Sequence, residues 1–489
     1  MIRRETHQDD GAFANSDSRA EHSERYFPDV LDSRTDILVF SADWSFEAAE
    51  LKLILSNMEK DYPQRLDYSQ FIGTSTVGVG LYGDTVIESS QPTAEVRLVS
   101  TQPTESTWWL LDEWSYVAGY FYVYSDQYLQ LSLGTESTGD VLTLTGDVDA
   151  EENAVFFDLN KPLGQNWELG IGARIFRQST DADIRTDVVL VDNLLGILPL
   201  PSELLLPVDI GPISPGGAIQ LGREKGRIAE TVFNPKLTLL WRASDSISLF
   251  TSAVKGFRYA GANQNPTLDP GVPLFFDSDS IWNYELGIRT TWLEGALQVD
   301  LTAFYLEWTD MQVQQREYTG AFAYTDNVGG AENKGLEFSM NALLPWGFST
   351  KLNLSYVDAK TTEFFDDFQG PAPAGTELPG SPPYSGSFIL LWLGRLSSAE
   401  LTSTLSYTWQ NRNYNNLPQT YEHPAISLLG ASLNARFLSL PGKPFVSLTG
   451  SNLTNEFKPG VVFDTPNTGG ILTIYNPPRS VKLGIEFSL

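Results

Sequence analysis

The chain has 489 residues, of which 42 % are hydrophobic and 19 % charged, and its mean hydropathy is −0.17. No apolar stretch approaches the roughly 20 residues that a membrane-spanning helix needs, which excludes a helical membrane protein. The formal net charge of −29 argues against nucleic acid as a partner, because a phosphate backbone is bound by basic patches.

Apolar and polar residues alternate along most of the chain, as in the segments 297–303 and 481–489. A period of two predicts a β-strand with one apolar face. In a membrane barrel the apolar face points to lipid and the polar face to the lumen, so we expect Gln298, Asp300 and Thr302 to face inward.

This alternation predicts about 17 strands, whose lengths suit strands that cross a membrane at a tilt. Aromatic residues make up 12 % of the chain, and we expect Trp308 and Trp409 in the girdles that such barrels form at the membrane interfaces. In chain order the predicted strands are 35–46, 48–58, 92–100, 112–124, 151–160, 165–177, 228–242, 245–258, 280–293, 295–312, 331–343, 347–360, 383–395, 398–411, 425–438, 443–452 and 479–489.

Short turns and long connections alternate between these strands, which is the arrangement of periplasmic turns and extracellular loops in outer-membrane barrels. The predicted fold class is therefore all-β, an antiparallel transmembrane β-barrel of the outer-membrane type, and a soluble sandwich or propeller is disfavoured by so many long loops. The long connections are 59–91, 125–150, 178–227, 259–279, 313–330, 361–382, 412–424 and 453–478.

Residues 1–34 are polar, and the first 30 contain neither an apolar core nor a cleavage site of a secretory signal. The predicted strands 35–46 and 479–489 both run towards the periplasm, so the strand count is odd. A closed barrel with both termini in the periplasm needs an even count. We therefore expect an incomplete barrel over residues 35–489 that lacks its N-terminal part, with 1–34 as the remnant of an extracellular loop.

Five motifs occur in order along the C-terminal half: NYELGIR at 283–289, AFYLEWTDMQ at 303–312, NVGGAENKGLE at 327–337, GSNLTN at 450–455 and PPRS at 477–480. Each one alone is a weak signal. Together, by order and spacing, they resemble the barrel of TonB-dependent outer-membrane receptors, which import scarce nutrients.

The resemblance implies active uptake of a small-molecule ligand such as a siderophore, cobalamin or a carbohydrate, in contact with outer-membrane lipid. It also implies a plug domain that fills the barrel and contacts the TonB complex. No room for a plug precedes the first predicted strand, so the TonB complex is expected as a partner only through a plug absent from this chain. The alternatives are a gene-model fragment, a split gene, or a plug-less barrel that acts as a passive pore or as a surface-binding protein.

The last strand resembles the β-signal by which outer-membrane proteins are recognised by their assembly machinery. The residues that carry the resemblance are Lys482, Gly484, Phe487 and Leu489, and the family's usual terminal aromatic residue is here Leu489. The alternative is an ordinary amphipathic strand. The implied location is the outer membrane of a Gram-negative bacterium.

The segment GFRYAGAN at 256–263 resembles the passage from strand to long loop in which the family exposes an arginine or an aromatic residue. We predict ligand contacts at Phe257, Arg258, Tyr259 and Asn263. A glycine-rich turn without a ligand is the alternative.

No enzyme motif, cofactor site or metal site is predicted. The three histidines, His7, His22 and His423, lack the spacing of metal ligands, and the chain has no cysteine. The segment 187–215 is apolar but interrupted by prolines, which excludes a membrane span. We expect it to fold over the barrel mouth, to pack against neighbouring loops, or to dock a partner or an apolar ligand.

Overall fold

A computed structural model of the chain defines its fold. It describes residues 2–9, 14–15, 26–28, 30–69, 80–105, 112–189, 218–263, 271–316, 323–367, 370–396, 398–465 and 470–487.

One antiparallel sheet of 18 strands forms the body of the protein. We number its strands along the chain and call them the wall strands. They are β1 Ile2–Asp9, β2 Val30–Ser45, β3 Ala49–Asp67, β4 Tyr82–Ser100, β5 Ser115–Thr135, β6 Gly139–Leu163, β7 Trp167–Val189, β8 Ala218–Ser244, β9 Ile247–Arg258, β10 Asp279–Trp292, β11 Leu297–Thr309, β12 Ala331–Leu343, β13 Phe348–Thr361, β14 Tyr384–Leu396, β15 Ala399–Gln410, β16 Ile426–Phe437, β17 Phe445–Ser451 and β18 Ser480–Glu486.

Each wall strand pairs with the strand that precedes it and the strand that follows it, always antiparallel. β1 and β18 are the two ends of this series. Among the described residues no register joins these two ends.

The connections define two rims. At the short-turn rim the links include 46–48, 164–166, 245–246 and 344–347, close to the predicted turns. The long-loop rim carries most of the long connections, and in the described residues five of these contain a small hairpin of their own. The hairpins are Gly261–Ala262 with Phe275–Phe276, Gln312–Arg316 with Ala323–Asn327, Phe365–Asp367 with Gly370–Ala372, Asn413–Tyr414 with Glu422–His423, and Pro459–Thr465 with Gly470–Tyr475.

Three predicted long loops have wrong bounds, because the wall strands continue into them. The loop 125–150 is largely strand, and the loops 59–91 and 178–227 are strand at both ends, over 59–67, 82–91, 178–189 and 218–227. β5 and β6 are joined by only three residues, 136–138, at the long-loop rim, which breaks the predicted alternation of short and long links. These segments contain many carboxylate and hydroxyl side chains, so their composition is typical of loops. Their β-ladders nevertheless continue.

Residues 2–9 form the strand β1, which pairs with Val30–Ile37 at the long-loop end of β2. The sequence assigned 1–34 to a loop and began the first strand at 35. The segment thus contributes strand at both of its ends, and its assignment to the extracellular side stays a prediction.

The two faces of the wall differ as predicted. Asp300 and Thr302 line a concavity of about 490 Å³ together with other polar side chains of β10–β15, so the polar set faces inward. On the opposite face Leu301, Val481 and Leu483 are exposed. A polar concave face and an apolar convex face are the arrangement of a membrane barrel.

Trp308 does not lie in an interface girdle. Its indole Nε1 donates a hydrogen bond to Asp279, and its ring packs against the buried residues Met311 and Ala331 beneath the loops. Trp409 stacks on Tyr407 and also borders the concavity of Asp300 and Thr302, and its place in a girdle stays a prediction.

Two 3-10 turns, Leu293–Gly295 and Pro345–Gly347, link wall strands at the short-turn rim. In the part of the chain that the structure describes, no helix has the length and apolar character to cross a membrane.

Candidate ligand site

A buried carboxylate lies on the inner face of the wall, between β6 and β7. Glu152 of β6 is 3 % exposed and forms an ion pair with Arg174 of β7. The hydroxyl of Tyr259 donates a hydrogen bond to the second oxygen of Glu152. A buried carboxylate is costly unless it is paired, and these two partners stabilise its charge.

Tyr259 follows β9 and is 46 % exposed. Burial of its hydroxyl raises the pKa of Tyr259 well above its ordinary value, and the hydrogen bond to Glu152 raises it further. The hydroxyl therefore stays protonated and remains a donor to Glu152, while part of the ring is open to the lumen.

Three aromatic rings pack together beside this carboxylate. The ring centroids of Phe176 and Phe257 lie 4.3 Å apart, and Phe257 meets Tyr259 edge-on at 4.9 Å. The guanidinium of Arg174 lies 5.2 Å from the centroid of Phe121 and 5.9 Å from that of Phe176. This packing holds the ring of Tyr259 in place.

A second buried carboxylate, Asp279, organises the neighbouring loop. It is 2 % exposed and accepts hydrogen bonds from Arg258 Nε at 2.9 Å, Trp308 Nε1 at 2.9 Å and Gln312 N at 3.0 Å. The guanidinium of Arg258 also lies 4.7 Å from the centroid of Trp308. Gln312 Nε2 donates to the Tyr259 carbonyl at 2.8 Å, which links the two carboxylate sites.

Asn263 connects two loops at the rim. Its Nδ2 donates to the carbonyls of Pro273 at 2.9 Å and Thr325 at 2.8 Å, and its Oδ1 accepts from Thr325 N at 2.7 Å. Asn263 is only 4 % exposed, and its side-chain amide is used in these hydrogen bonds to the loop backbone.

The four residues predicted as ligand contacts therefore have different surroundings. Tyr259 presents a ring to the lumen, Phe257 supports that ring, and Arg258 and Asn263 are held by other side chains and carbonyls. As ligand contacts all four remain a prediction, and the geometry favours Tyr259.

Sequence reasoning missed Glu152, Arg174, Asp279 and Trp308. Glu152 and Tyr259 are 107 positions apart, and no motif links them. Asp279 could have been predicted from the sequence. Arg258 ends β9 and Asp279 begins β10, and the antiparallel pairing of these strands places the two residues directly opposite each other.

In the last strand, β18, Lys482 and Gly484 alternate with the exposed apolar residues Val481, Leu483 and Ile485 of the convex face, which places both on the inner face. Phe487 is 62 % exposed directly after the strand. Leu489 lies outside the described residues, as does the apolar segment from 190 to 215.

The curved antiparallel wall, polar inside and apolar outside, defines a β-barrel of the outer-membrane type. A family model described as TonB dependent receptor-like, beta-barrel, matches residues 3–455, and the chain therefore belongs to this family. Barrels of this family are outer-membrane proteins and act as transport receptors.

Solved structures with the same fold include the ferric yersiniabactin uptake receptor FyuA from Yersinia pestis, at a TM-score of 0.71 and 16 % identity over 93 % of this chain and 61 % of that one. The siderophore receptor PiuA from Acinetobacter baumannii is similar at a TM-score of 0.67 and 12 % identity, over 94 % of this chain and 65 % of that one.

Two curated relatives are similar in sequence over shorter stretches. The metal-pseudopaline receptor CntO of Pseudomonas aeruginosa is 23 % identical over 176 residues, which is 35 % of this chain and 23 % of that protein. The ferric-pyoverdine BN7/BN8 receptor of Pseudomonas putida is 32 % identical over 143 residues, 27 % of this chain and 15 % of that protein. The matched regions thus span under a quarter of these relatives.

Proposed function

We propose that this chain is the barrel portion of a TonB-dependent receptor in the outer membrane of a Gram-negative bacterium, and that it takes up a metal bound to a small chelator. The observation that carries the proposal is the aromatic and arginine cluster around Tyr259, on the inner wall below the long-loop rim. The relatives include receptors for metal–pseudopaline, ferric pyoverdine and ferric yersiniabactin, which supports this class of ligand.

In this proposal the long-loop rim faces the outside and the loops capture the chelate. Tyr259 offers a rigid aromatic surface, beside which Arg174 and Arg258 are held by the carboxylates of Glu152 and Asp279. No covalent chemistry is involved. The TonB complex acts through a plug domain, which is consistent with the chain spanning 61 % and 65 % of the two structural neighbours.

Binding of a metal chelate to the purified protein tests the ligand class. Ferric complexes of catecholate, hydroxamate and carboxylate chelators are titrated against the tryptophan fluorescence, with cobalamin and maltodextrin as other ligand classes. One ferric complex is expected to bind. Tyr259→Ala is expected to weaken it about tenfold or more, which is a loss of roughly 1.4 kcal/mol.

The matched control is Tyr407→Ala, because Tyr407 is 37 % exposed on the convex face, away from the lumen. It is expected to leave binding unchanged. An equal loss in both variants, or binding of cobalamin or maltodextrin instead of any ferric chelate, contradicts the proposal.

A transport assay tests the assignment to the barrel portion. A polypeptide of residues 1–489 expressed behind a secretion signal is expected not to restore chelate uptake in a transporter-deleted strain, because in this proposal TonB acts through a plug domain. Restored uptake contradicts this, and a constant open conductance in planar bilayers favours a passive pore.

We also propose that the C-terminal strand guides membrane insertion through Lys482, Gly484, Phe487 and Leu489. The position of β18 at one end of the sheet supports this, because an end strand offers a free ladder to an assembly factor. Replacement of Phe487 by Ala is expected to slow assembly while leaving the folded barrel heat-modifiable.

A further inference from the structure

Both guanidinium groups beside the ring of Tyr259 are already neutralised by carboxylates of the protein. Arg174 forms an ion pair with Glu152. Arg258 forms an ion pair with Asp279. Each of the two carboxylates is at most 3 % exposed, so both ion pairs are held within the wall and its loops. A ligand that reaches Tyr259 therefore meets two cations whose charge is already balanced.

A third carboxylate, that of Glu230 in β8, is bound by neutral groups alone. Its two oxygens accept hydrogen bonds from Gln178 Nε2 at 2.5 Å and from Ser278 Oγ at 2.6 Å. Among the described residues no lysine or arginine forms an ion pair with Glu230. A carboxylate has about four acceptor positions, so Glu230 keeps the capacity to bind a charged donor.

Contacts along the wall join Glu230 to Tyr259. Gln178, which donates to Glu230, lies directly opposite Glu152 in the ladder of β6 and β7. Glu152 in turn accepts a hydrogen bond from the hydroxyl of Tyr259. One row of the inner face thus carries a carboxylate on either side of Gln178.

Contacts within the loops join the same two residues from the other side. Ser278, the second donor to Glu230, directly follows the exposed residue Asp277. The side-chain amide of Gln312 donates to the carbonyls of both Asp277 and Tyr259. Glu230 and Tyr259 therefore border one space, and Asp277 adds a further carboxylate to its edge.

The same face of β8 carries a buried amide without a hydrogen-bond partner. Asn234 is 8 % exposed and lies directly opposite Arg174, and its alternation with the exposed Phe233 places it on the inner face. Among the described residues neither Nδ2 nor Oδ1 of Asn234 is hydrogen-bonded, and neither is Nε of Arg174. Buried polar groups are nearly always paired, so this amide indicates that a further polar group binds here.

The long links between β7 and β12 are acidic as well. The segments 190–217, 259–278 and 310–330 contain eight aspartates or glutamates and a single basic residue, Arg316. The whole chain carries a formal net charge of −29. Negative charge of this size attracts a cationic ligand on approach and repels an anionic one.

We propose that the site at Tyr259 takes a metal chelate with a net positive charge, and that the carboxylate of Glu230 binds the charged group. The inference rests on the proposed function, because it specifies the charge of the chelate that is taken up. A cationic group gives Glu230 the opposite charge that the protein does not supply, and the open ring of Tyr259 also attracts a cation. An anionic chelate places like charges beside Glu230 and Asp277, which disfavours its complex.

A series of ferric chelates that differ in one terminal group tests the proposal. The probes are the ferric complexes of desferrioxamine B, of its N-acetyl derivative and of its N-succinyl derivative. All three bind the iron through the same hydroxamates. The first is cationic, the second neutral and the third anionic, because the terminal amine is protonated, acetylated or capped by a carboxylate. Tryptophan fluorescence of the purified full chain in detergent measures the three values of Kd.

The cationic complex is expected to bind about tenfold more tightly than the anionic one or better, with the neutral complex between them. Glu230→Gln keeps the shape of the side chain and removes its charge, so it is expected to reduce this ratio about threefold or more. Glu337→Gln is the matched control, because Glu337 lines the concavity of β10–β15, which Tyr259 does not border. It makes the same change in net charge and is expected to leave the ratio unchanged. Heat-modifiable migration shows that both variants are folded.

Equal binding of the three complexes, or tightest binding of the anionic one, overturns the proposal. An unchanged ratio in Glu230→Gln, or the same fall in Glu337→Gln, refutes the assignment of the charge to Glu230. If none of the three binds, the charge of the ferric chelate that does bind decides, and a neutral or anionic one refutes the inference while the proposed function stands. If no ferric chelate binds at all, the proposed function fails, and the inference fails with it.

Discussion

Two parts of the wall differ in height by almost a factor of two. The strands β3–β8, which we call the tall wall, contain 19 to 27 residues each. The strands β9–β16, the short wall, contain 12 to 14. At about 3.3 Å per residue, both exceed the apolar band of roughly 25 Å, so the difference lies above the membrane.

The upper parts of the two walls are stabilised in different ways. In the tall wall the ladders continue, and apolar side chains such as Leu133, Leu142 and Ile184 are buried to 1 % exposure or less. Above the short wall the chain leaves the ladder, and side chains such as Asp279 and Asn263 bind loop backbone groups instead. In a β-ladder the backbone N–H and C=O groups hydrogen-bond to each other, so a long hairpin needs only apolar burial in addition. In a loop these backbone groups need polar side chains as hydrogen-bond partners.

The largest expected effect concerns the apolar packing of the tall wall. Leu144 of β6 is 2 % exposed, and Leu144→Asp places an unpaired carboxylate among buried side chains. We expect a local loss of at least about 3 kcal/mol, so that the upper β5–β6 hairpin opens while the lower band stays folded. Limited proteolysis at 125–150 and heat-modifiable migration measure the two parts separately.

Leu163→Asp is the control, because Leu163 belongs to the same strand but is 38 % exposed at the short-turn rim. It is expected to leave the hairpin resistant to protease. If Leu144→Asp is equally resistant, the upper tall wall does not depend on apolar burial, and the contrast with the short wall fails.

A smaller effect is expected from the polar network above the short wall. Asp279→Ala removes the acceptor shared by Arg258, Trp308 and Gln312. We expect a loss of about 2–3 kcal/mol, because the indole and backbone donors are left without a partner. Hydrogen exchange is expected to accelerate in the loops after β9 and β11, and not in the tall wall.

Asp277→Ala is the comparison variant. The Asp277 side chain is exposed, and it is its backbone carbonyl that accepts a hydrogen bond from Gln312. This variant is expected to behave like the unchanged protein. Equal exchange in both variants shows that the loop is held by its backbone and not by the Asp279 carboxylate.

The sequence predicted the short wall more accurately than the tall wall, for a physical reason. The predicted strands 347–360 and 398–411 agree with β13 and β15 to within one residue at each end, because the apolar face ends where the lipid ends. In the tall wall the strands continue beyond the lipid, where both faces meet water or loops. There Asp147 and Asp149 occupy ladder positions, and composition no longer separates strand from loop.

The candidate site was predictable only in part. GFRYAGAN indicated the right segment, since Phe257 and Tyr259 belong to the aromatic cluster. Their partners Glu152 and Phe176 come from the tall wall, and the pairing and curvature of β6–β9 bring them near. A sequence pattern reports neighbours within a strand or hairpin, whereas the inner surface of a barrel is made from distant strands.

The smallest expected effect is a pH dependence confined to the short wall. His423 lies in the small hairpin of Asn413–Tyr414 with Glu422–His423, and residues 49–244 of the tall wall contain no histidine. Burial lowers the pKa of His423 below 6.5, although a hydrogen bond to Pro459 opposes the shift. Its ring meets Tyr421 edge-on at 5.6 Å.

Because the pKa is lower in the folded hairpin than in the open one, the open form takes up a proton more readily. The stability of the hairpin is therefore complete above about pH 6.5 and falls as the pH drops below that value, by at most about 1.4 kcal/mol for each unit of pKa difference. Hydrogen exchange of residues 413–423 between pH 8 and pH 5, corrected for intrinsic rates, measures the change. His423→Gln is expected to make the profile flat. A profile that is already flat in the unchanged protein, or one that rises towards acid, means that His423 is not protonated preferentially in the open hairpin.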